Sequence, residues 1–388
     1  MSASQYSTIN GNPTQIHVLP YDENVLTQHN PAISKSRYIT GIIMLFCVVG
    51  LWVGSGTLIQ HIFTQQHYNQ PFLLTYFSTS LFILYIPCYY ITQYIKNKYN
   101  NHNNTEKQQL LHISAFHDTI DTHTHITPNT IQLPIKQSLV LCPLWFGLNY
   151  TYNLSLSMTS ISSATILSSS SSLFVLIYSV CLLNTKFTAP NILGVLLTIC
   201  GAAMISYKDD DSSMNGNQSV HGDILAGLSA SIYGLYTVML KYIVPVEREK
   251  SYPMLLIFGC IGLINLLTLW PLFFVFNMTG IEQFVLPSIT IFSALLLNGI
   301  FGTVISDYLW ARSVLLTSPL IASLGLSLTI PLAMFVDVLF NSYQLSVIYL
   351  IGSILVISGF ILVNAFHEST ELVNVDQQSE SIRDIEIK

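Results

Sequence analysis

The sequence predicts an all-α integral membrane protein with ten transmembrane helices, arranged as two inverted five-helix repeats. Three observations lead there. Of the 388 residues 51% are hydrophobic and only 9% are charged, whereas a soluble domain carries about a quarter charged residues. No Asp, Glu, Lys or Arg occurs from Tyr38 to Ile95, from Gln137 to Thr185, or from Val338 to His367. The later part of the chain also echoes the earlier part in residue type and span boundaries. This composition excludes a soluble fold, a disordered chain and a disulfide-rich secreted module.

The elements follow in order. Residues 1–38 are polar, lack a basic-then-apolar leader and read as a disordered tail, so the first span itself directs insertion. A spanning helix needs roughly 20 mostly apolar residues. That rule places spans at 39–60, 72–94, 138–158, 161–184, 189–207, 222–243, 252–276, 289–312, 317–340 and 345–366. Asn69-Gln70-Pro71, Ala189-Pro190, Pro245 and Pro287 stand between spans, where helix continuation is disfavoured. The loop 95–137, rich in Asn, His, Thr and Gln, reads as low-complexity linker, and 367–388 as a second tail.

Charge sets the expected topology. With the N-terminus in the cytosol, the cytosolic segments hold thirteen of the 14 Lys and Arg residues, and the opposite side holds only Lys208. That asymmetry predicts both termini in the cytosol. The net charge of −6 sits mostly in tails and loops and offers nucleic acid no basic face. The six cysteines lie in apolar runs without a Cys-x-x-Cys pair and read as small core residues.

Sliding the chain on itself aligns 150–201 with 308–359 without gaps. Matches include Tyr150/Tyr308, Ser155/Ser313, Thr159/Thr317, Ser160/Ser318, Gly194/Gly352 and Gly201/Gly359. The Thr-Ser turn and both glycines keep register with the span boundaries, which marks a true repeat. Residues 39–207 form the first half and 222–366 the second. Five helices per half is an odd number, so the second half enters the membrane from the opposite face. Inverted repeats of this kind build many secondary transporters around a midplane site.

The chain resembles the drug/metabolite transporter superfamily with its paired EamA-type repeats. Within it, three stretches resemble solute carrier family 35, subfamily F, and the fungal vacuolar and thiamine-repressible relatives. The first is Leu51-Trp52-Val53 with Phe63-Thr64-Gln65 and Pro71-Phe72. The second runs from Trp145-Phe146 through Asn149-Tyr150 and Tyr152 to Ile166-Leu167-Ser168-Ser169. The third runs from Asn298-Gly299 through Gly302-Thr303-Val304 to Leu326-Ser327-Leu328-Thr329-Ile330-Pro331. Members of that group more often show Glu in the eighth helix, where this chain has Asp307. The resemblance implies transport of a small polar solute and a vacuolar, lysosomal or other endomembrane location. Thiamine is a suggestion for some relatives, and nucleotide sugars belong to other subfamilies.

An ionisable residue at membrane depth is expensive and is a candidate functional group by default. Asp307 in the eighth span lies opposite Asn149 of the third in the repeat. Its carboxylate suits a cationic solute or a proton; a helix-packing partner for Arg312 is the alternative. Asp337 lies nearer the far end of the ninth span. Asn149 and Tyr152 share a helix face and, with Trp145, Tyr233 and Tyr236, are candidates for an aromatic pocket; membrane packing accounts for such residues equally well. Lys241 and Arg312 end helices six and eight at the cytosolic side, where they either snorkel to headgroups or meet an anionic solute. Ser162, Ser163 and Ser168 to Ser172 make the fourth helix small and hydroxylic, a packing feature first.

Two patterns are set aside. His117, Asp118, Asp121, His123 and His125 look like metal ligands but sit in the low-complexity loop, so no metal or cofactor is expected. Among the Asn-x-Ser/Thr sequons only Asn217 and Asn277 lie on the side where glycosylation occurs. Glu106 with Leu110 and Leu111 matches an acidic di-leucine address. No phosphate-binding loop or nucleophilic triad is present in a plausible place, so an enzyme is not expected. Two function classes remain. One is a secondary transporter of a small polar solute, with a nucleotide-sugar exchanger as the variant reading. The other is a non-transporting membrane scaffold or sensor. The partners expected are the solute and the bilayer, with no nucleic acid; pairing of two copies as a homodimer is left open.

Overall fold

The computed structural model describes residues 31–66, 70–111, 128–156, 158, 166–210, 220–244, 253–340 and 347–386. The described residues form helices and contain no strand. In chain order these are α1 (Pro31–Gln66), α2 (Pro71–Ser80), a short 3-10 helix (Leu81–Leu84), α3 (Tyr85–Leu111), α4 (Pro128–Leu156) and α5 (Ser171–Leu183). Then come α6 (Ala189–Asp210), α7 (Val220–Ile243), α8 (Met254–Thr268), α9 (Leu272–Thr279) and α10 (Ile289–Asn298). A π-helical segment (Gly299–Ile305) leads into α11 (Ser306–Leu316), followed by α12 (Pro319–Leu326), α13 (Thr329–Phe340) and α14 (Val347–Glu386).

Eight stretches are long and apolar enough to cross a bilayer, and α8 with α9 makes a ninth when the pair, bent by 49°, is taken as one broken span. The protein is therefore a multi-pass membrane protein. The bend falls at Trp270-Pro271, where proline removes a backbone donor and interrupts the helix. The expected third span falls on α4, which is not among these stretches, although its 29 residues reach about 43 Å at 1.5 Å per residue. It is less apolar than the others because Asn149, Tyr150, Thr151, Tyr152 and Asn153 fill its last third.

Local chemistry sets the helix ends. Ser288 caps α10 by accepting from the Ile291 amide at 3.3 Å, and Ser318 caps α12 by accepting from Ile321 at 3.2 Å, with Pro319 in the first turn. α5 ends at Asn184 in the left-handed region, φ 53°. Gly280, φ 72°, ends α9 and reverses the chain.

Between lipid-embedded helices there is no hydrophobic drive, so close backbone approach through small residues carries packing. The pair α6 and α14 shows it. A Cβ on Gly194 would lie 2.9 Å from the Gly359 carbonyl, and one on Gly201 would lie 2.5 Å from that of Gly352. The reverse contacts, Gly359 to the Gly194 carbonyl and Gly352 to that of Gly201, are as tight at 2.5 and 2.8 Å. Gly194 is the repeat mate of Gly352, and Gly201 of Gly359. Each glycine thus meets the mate of the other, the reciprocity of a two-fold contact. The two halves do not segregate: α4 packs on α7 and α8, α1 on α11, and α5 on α7 and α12. Where they interleave, Trp310, Tyr236, Phe82 and Phe258 are buried in one cluster.

Several expectations fall outside the described residues: the His117 to His125 group, Ser162 and Ser163, Asn217, and the side chains of Lys208, Asp337, Glu106, Leu110 and Leu111.

Candidate functional site

The site is built where α4, α7 and α11 meet, and each helix is drawn there by a polar or small residue. Ser229 on α7 donates to the Leu148 carbonyl of α4 at 2.8 Å. Gly234 lets α7 sit against Phe174 and Val175 of α5, where a Cβ would come within 2.8 to 2.9 Å. Those contacts turn Tyr233 and Tyr236 toward α11. From α4 comes Trp145, with Asn149 and Tyr152 four and seven residues on and therefore on the same face. From α11 come Asp307 and, one turn later, Trp310.

The rings form a box. Trp145 and Tyr236 lie 5.0 Å apart between centroids, Tyr236 stacks on Trp310 at 5.8 Å with 13° between planes, and Trp310 is 6.3 Å from Trp145. Trp310 Nε1 donates to the Tyr233 hydroxyl at 3.2 Å. Phe82, 5.6 Å from Trp145, closes one wall. Asp307 is 3% exposed and lies close enough to Tyr85, Tyr233 and Tyr236 to act on each electrostatically. Its polar neighbour is Ser306, and no cation among the described residues acts on it. Arg312, five residues on, lies about 140° round the helix at 100° per residue.

Two donors in the box stand out. Trp145 Nε1 and the Tyr236 hydroxyl are buried and have no hydrogen-bond partner among the described residues. Buried polar groups are nearly always satisfied, because leaving one unpaired costs about 1–3 kcal/mol. The box thus brings together a carboxylate, two unmet donors and four aromatic faces.

The start of α11 is held by its neighbours. Over Gly299–Ile305 the helix widens to a π turn, a form found mostly as single turns near functional sites. The Tyr85 hydroxyl of α3 donates to the Val304 carbonyl at the end of that turn. On α1, Trp52 Nε1 donates to Ser306 Oγ at 3.0 Å, and Ser55 Oγ donates to Asn298 Oδ1 at 2.5 Å. Gly302 faces Ser55 too closely for any side chain. Asp307 therefore sits at the exit of a wide turn gripped by α1 and α3.

The sequence-derived candidates divide. Trp145, Tyr236 and Asp307 come together, with Tyr233 beside them. Asn149 is half-buried farther along α4, and its amide donates back to the Trp145 carbonyl at 2.9 Å; Tyr152 stands a turn beyond. Lys241 lies elsewhere, its ammonium donating to the carbonyls of Val314, Leu315 and Thr317 at the C-terminus of α11. That is where the helix dipole favours a cation. Trp310, Tyr85 and Trp52 were not singled out as site residues, although Trp310 is the repeat mate of Tyr152 and stands three residues after Asp307, on its face.

An all-helical, multi-pass chain with a buried polar site between interleaved halves defines a membrane transporter by class. The chain belongs to the EamA-like transporter family, whose pattern matches residues 39–207 and 220–365, one block per half. It is 33% identical to an uncharacterized vacuolar membrane protein of Saccharomyces cerevisiae, over 88% of this chain and 93% of that one. It is 31% identical to the thiamine-repressible mitochondrial transport protein of the same yeast, over 86% and 93%. Solute carrier family 35 member F5 of Pongo abelii is 29% identical over 87% and 79%. A solved crystal structure shares the fold with a TM-score of 0.62 at 14% identity, covering 87% of this chain and 99% of that one.

Proposed function

We propose that this protein is a secondary active transporter that moves a small organic cation, of thiamine-like chemistry, by alternating access across an endomembrane such as that of the vacuole. In this reading the chain crosses the membrane ten times as two inverted five-helix repeats, 39–207 and 222–366, with both termini cytosolic. The Lys/Arg asymmetry supports the orientation, and the reciprocal glycine contacts of α6 and α14 support the inversion. The observation that carries the site is the pair of donors, Trp145 Nε1 and Tyr236 Oη, unmet among the described residues, together with Asp307, on which no cation among those residues acts. Asp307 takes the positive charge of the solute, or a proton when the site is empty, because a lone buried carboxylate is costly while charged. The rings of Trp145, Tyr236 and Trp310 cover the cation's faces, and the two donors meet its acceptor atoms. Asn149 and Tyr152 line the approach along α4.

A nucleotide-sugar exchanger would draw on Lys241 and Arg312, and the capping position of Lys241 at α11 speaks for the cation instead. Uptake into proteoliposomes tests the proposal, with labelled thiamine and tetraalkylammonium ions set against a nucleotide sugar. Cation uptake that Asp307→Asn abolishes while the variant stays folded is the expected result. Uptake of the nucleotide sugar alone, or no uptake and no solute-dependent stabilisation of a folded protein, overturns it, the latter in favour of a scaffold or sensor.

A further inference from the structure

At the end of the α10–α11 rod opposite Lys241, the chain between α9 and α10 forms a strap. Gly280 turns it out of α9, and residues 281–288 run without regular structure to the Ser288 cap of α10. The strap is fastened to the start of α2. That helix begins with Pro71, which has no N–H, and Gln70 before it offers no side-chain cap. Glu282 caps the next two amides instead: Oε2 accepts from Phe72 N at 2.8 Å and Oε1 from Leu73 N at 3.1 Å. Gln70 Nε2 adds a bond to the Gln283 carbonyl at 2.8 Å. Beneath, the buried Phe72 ring is packed 4.8 Å from both Phe273 and Phe276 and 5.7 to 5.9 Å from Phe146 and Tyr150. Tyr150 stands five residues beyond Trp145 on α4, and Asn153 farther along donates to Thr75 of α2 at 2.9 Å. This aromatic plug therefore lies on the strap side of the box. The helix α10, into which the strap leads, is lightly held. Its Ile291 and Leu295 pack on Leu74 in a small cluster apart from the two large ones, while Ile289, Phe292 and Leu297 are exposed. At its other end α10 passes into the π turn, a form at which helices kink.

We propose that residues 281–298 are the moving leaf of a gate, hinged at the π turn and clasped shut by Glu282 on the start of α2. Calling the leaf a gate rests on the alternating-access reading, in which the box opens toward one end at a time. The clasp follows from helix chemistry. The first amides of a helix have no partner within it, and a carboxylate placed there makes charge-assisted bonds that the helix dipole reinforces. Swinging the leaf away gives up both bonds and the Gln283 contact, and it uncovers Phe72 and Thr75. The fixed side of the hinge is held separately. Tyr85 donates to the Val304 carbonyl and Trp52 to Ser306 Oγ, so Asp307, two residues past the turn, keeps its place in the box while α10 moves. The leaf and the box thus share one helix, with the hinge between them.

Thiol labelling of the full-length protein in lipid nanodiscs, without solute, tests this directly. Three single reporters are compared: Thr75→Cys beside the plug, Leu295→Cys on the inner face of α10, and Thr198→Cys in the α6–α14 seam, all at buried positions. Reaction with a charged, membrane-impermeant thiol reagent is followed at each position by mass spectrometry. Adding Glu282→Ala should speed labelling at 75 and 295 together by roughly tenfold, the worth of a lost helix cap, and leave 198 unchanged. Glu282→Gln, which keeps the shape and one acceptor oxygen, should give a smaller rise at the same two positions. Unchanged labelling at 75 or at 295 in the alanine variant overturns the proposal. A rise shared by 198 overturns it as well, because the fold as a whole would then have loosened. The measurement needs no solute, so its failure leaves the transport reading standing, and a failed uptake assay leaves the clasp standing.

Discussion

Replacing Gly201 by alanine tests the helix contact on which the two-fold arrangement rests. The new methyl would lie 2.5 Å from the Gly352 carbonyl oxygen and 2.9 Å from the Val356 amide. Ordinary contact is about 3.5–4.0 Å, so α6 and α14 must separate by close to 1 Å along a seam that is tight in both directions. Overpacking by one methylene costs about 1–3 kcal/mol. Alanine in a helix interior recovers up to about 1 kcal/mol of propensity relative to glycine. The control is Gly50→Ala on α1, where nothing lies within 4 Å and only the propensity gain applies. Melting in detergent, followed by size-exclusion fluorescence, should place Gly201→Ala below Gly50→Ala by roughly 2–6 °C, taking about 2 °C per kcal/mol for a large domain. Equal melting temperatures would refute the close seam, and so would a stabilised Gly201→Ala.

Changes at three further positions have defined outcomes. Lys241→Met should destabilise by about 1–3 kcal/mol, because it strips charge-assisted bonds from the carboxyl end of α11; Lys241→Arg should recover part of that in the same melting assay. Asn265→Leu should cost about 1–2 kcal/mol, since Asn265 Nδ2 donates both to the Tyr76 carbonyl and to Ser80 Oγ in a fully buried seam between α8 and α2. Trp52→Phe removes the bond to Ser306 and should weaken solute affinity more than it lowers the melting temperature, read by titration and melting of one preparation.

The membrane class and most span positions were legible because burial in lipid leaves charge-free runs that no other fold tolerates. The glycine register at 194, 201, 352 and 359 was legible for a related reason: only glycine permits the backbone approach. Asp307 announced itself by cost alone. The expected span on α4 is not among the stretches apolar enough to cross, because the polar run from Asn149 to Asn153 fills the end of that helix. What stayed hidden depends on which chain segments meet. The π turn at Gly299–Ile305 is held open by Tyr85 and Trp52, residues more than 200 positions upstream, and nothing local marks it. Lys241 read first as a snorkelling cation, with a solute-facing role as the alternative, until α11 ended beside it. Glu282 was an ordinary loop acid until the amides of Phe72 and Leu73 arrived. Trp310 is the instructive omission, because helical spacing from Asp307 and repeat pairing with Tyr152 both pointed to it.

The central claim is that the unmet donors beside Asp307 are held ready for a solute, and Tyr236→Phe tests it most directly. The change deletes a hydroxyl that has no hydrogen-bond partner among the described residues and keeps the ring that stacks on Trp310. The solute-free protein should therefore melt at or above the wild-type temperature, since removing an unsatisfied buried group relieves its cost. The apparent affinity for the organic cation proposed as its solute, read from ligand stabilisation, should at the same time fall about tenfold from that of the wild type, the worth of one hydrogen bond of about 1.4 kcal/mol. A solute-free Tyr236→Phe protein that is clearly less stable, with cation affinity unchanged, would contradict the account.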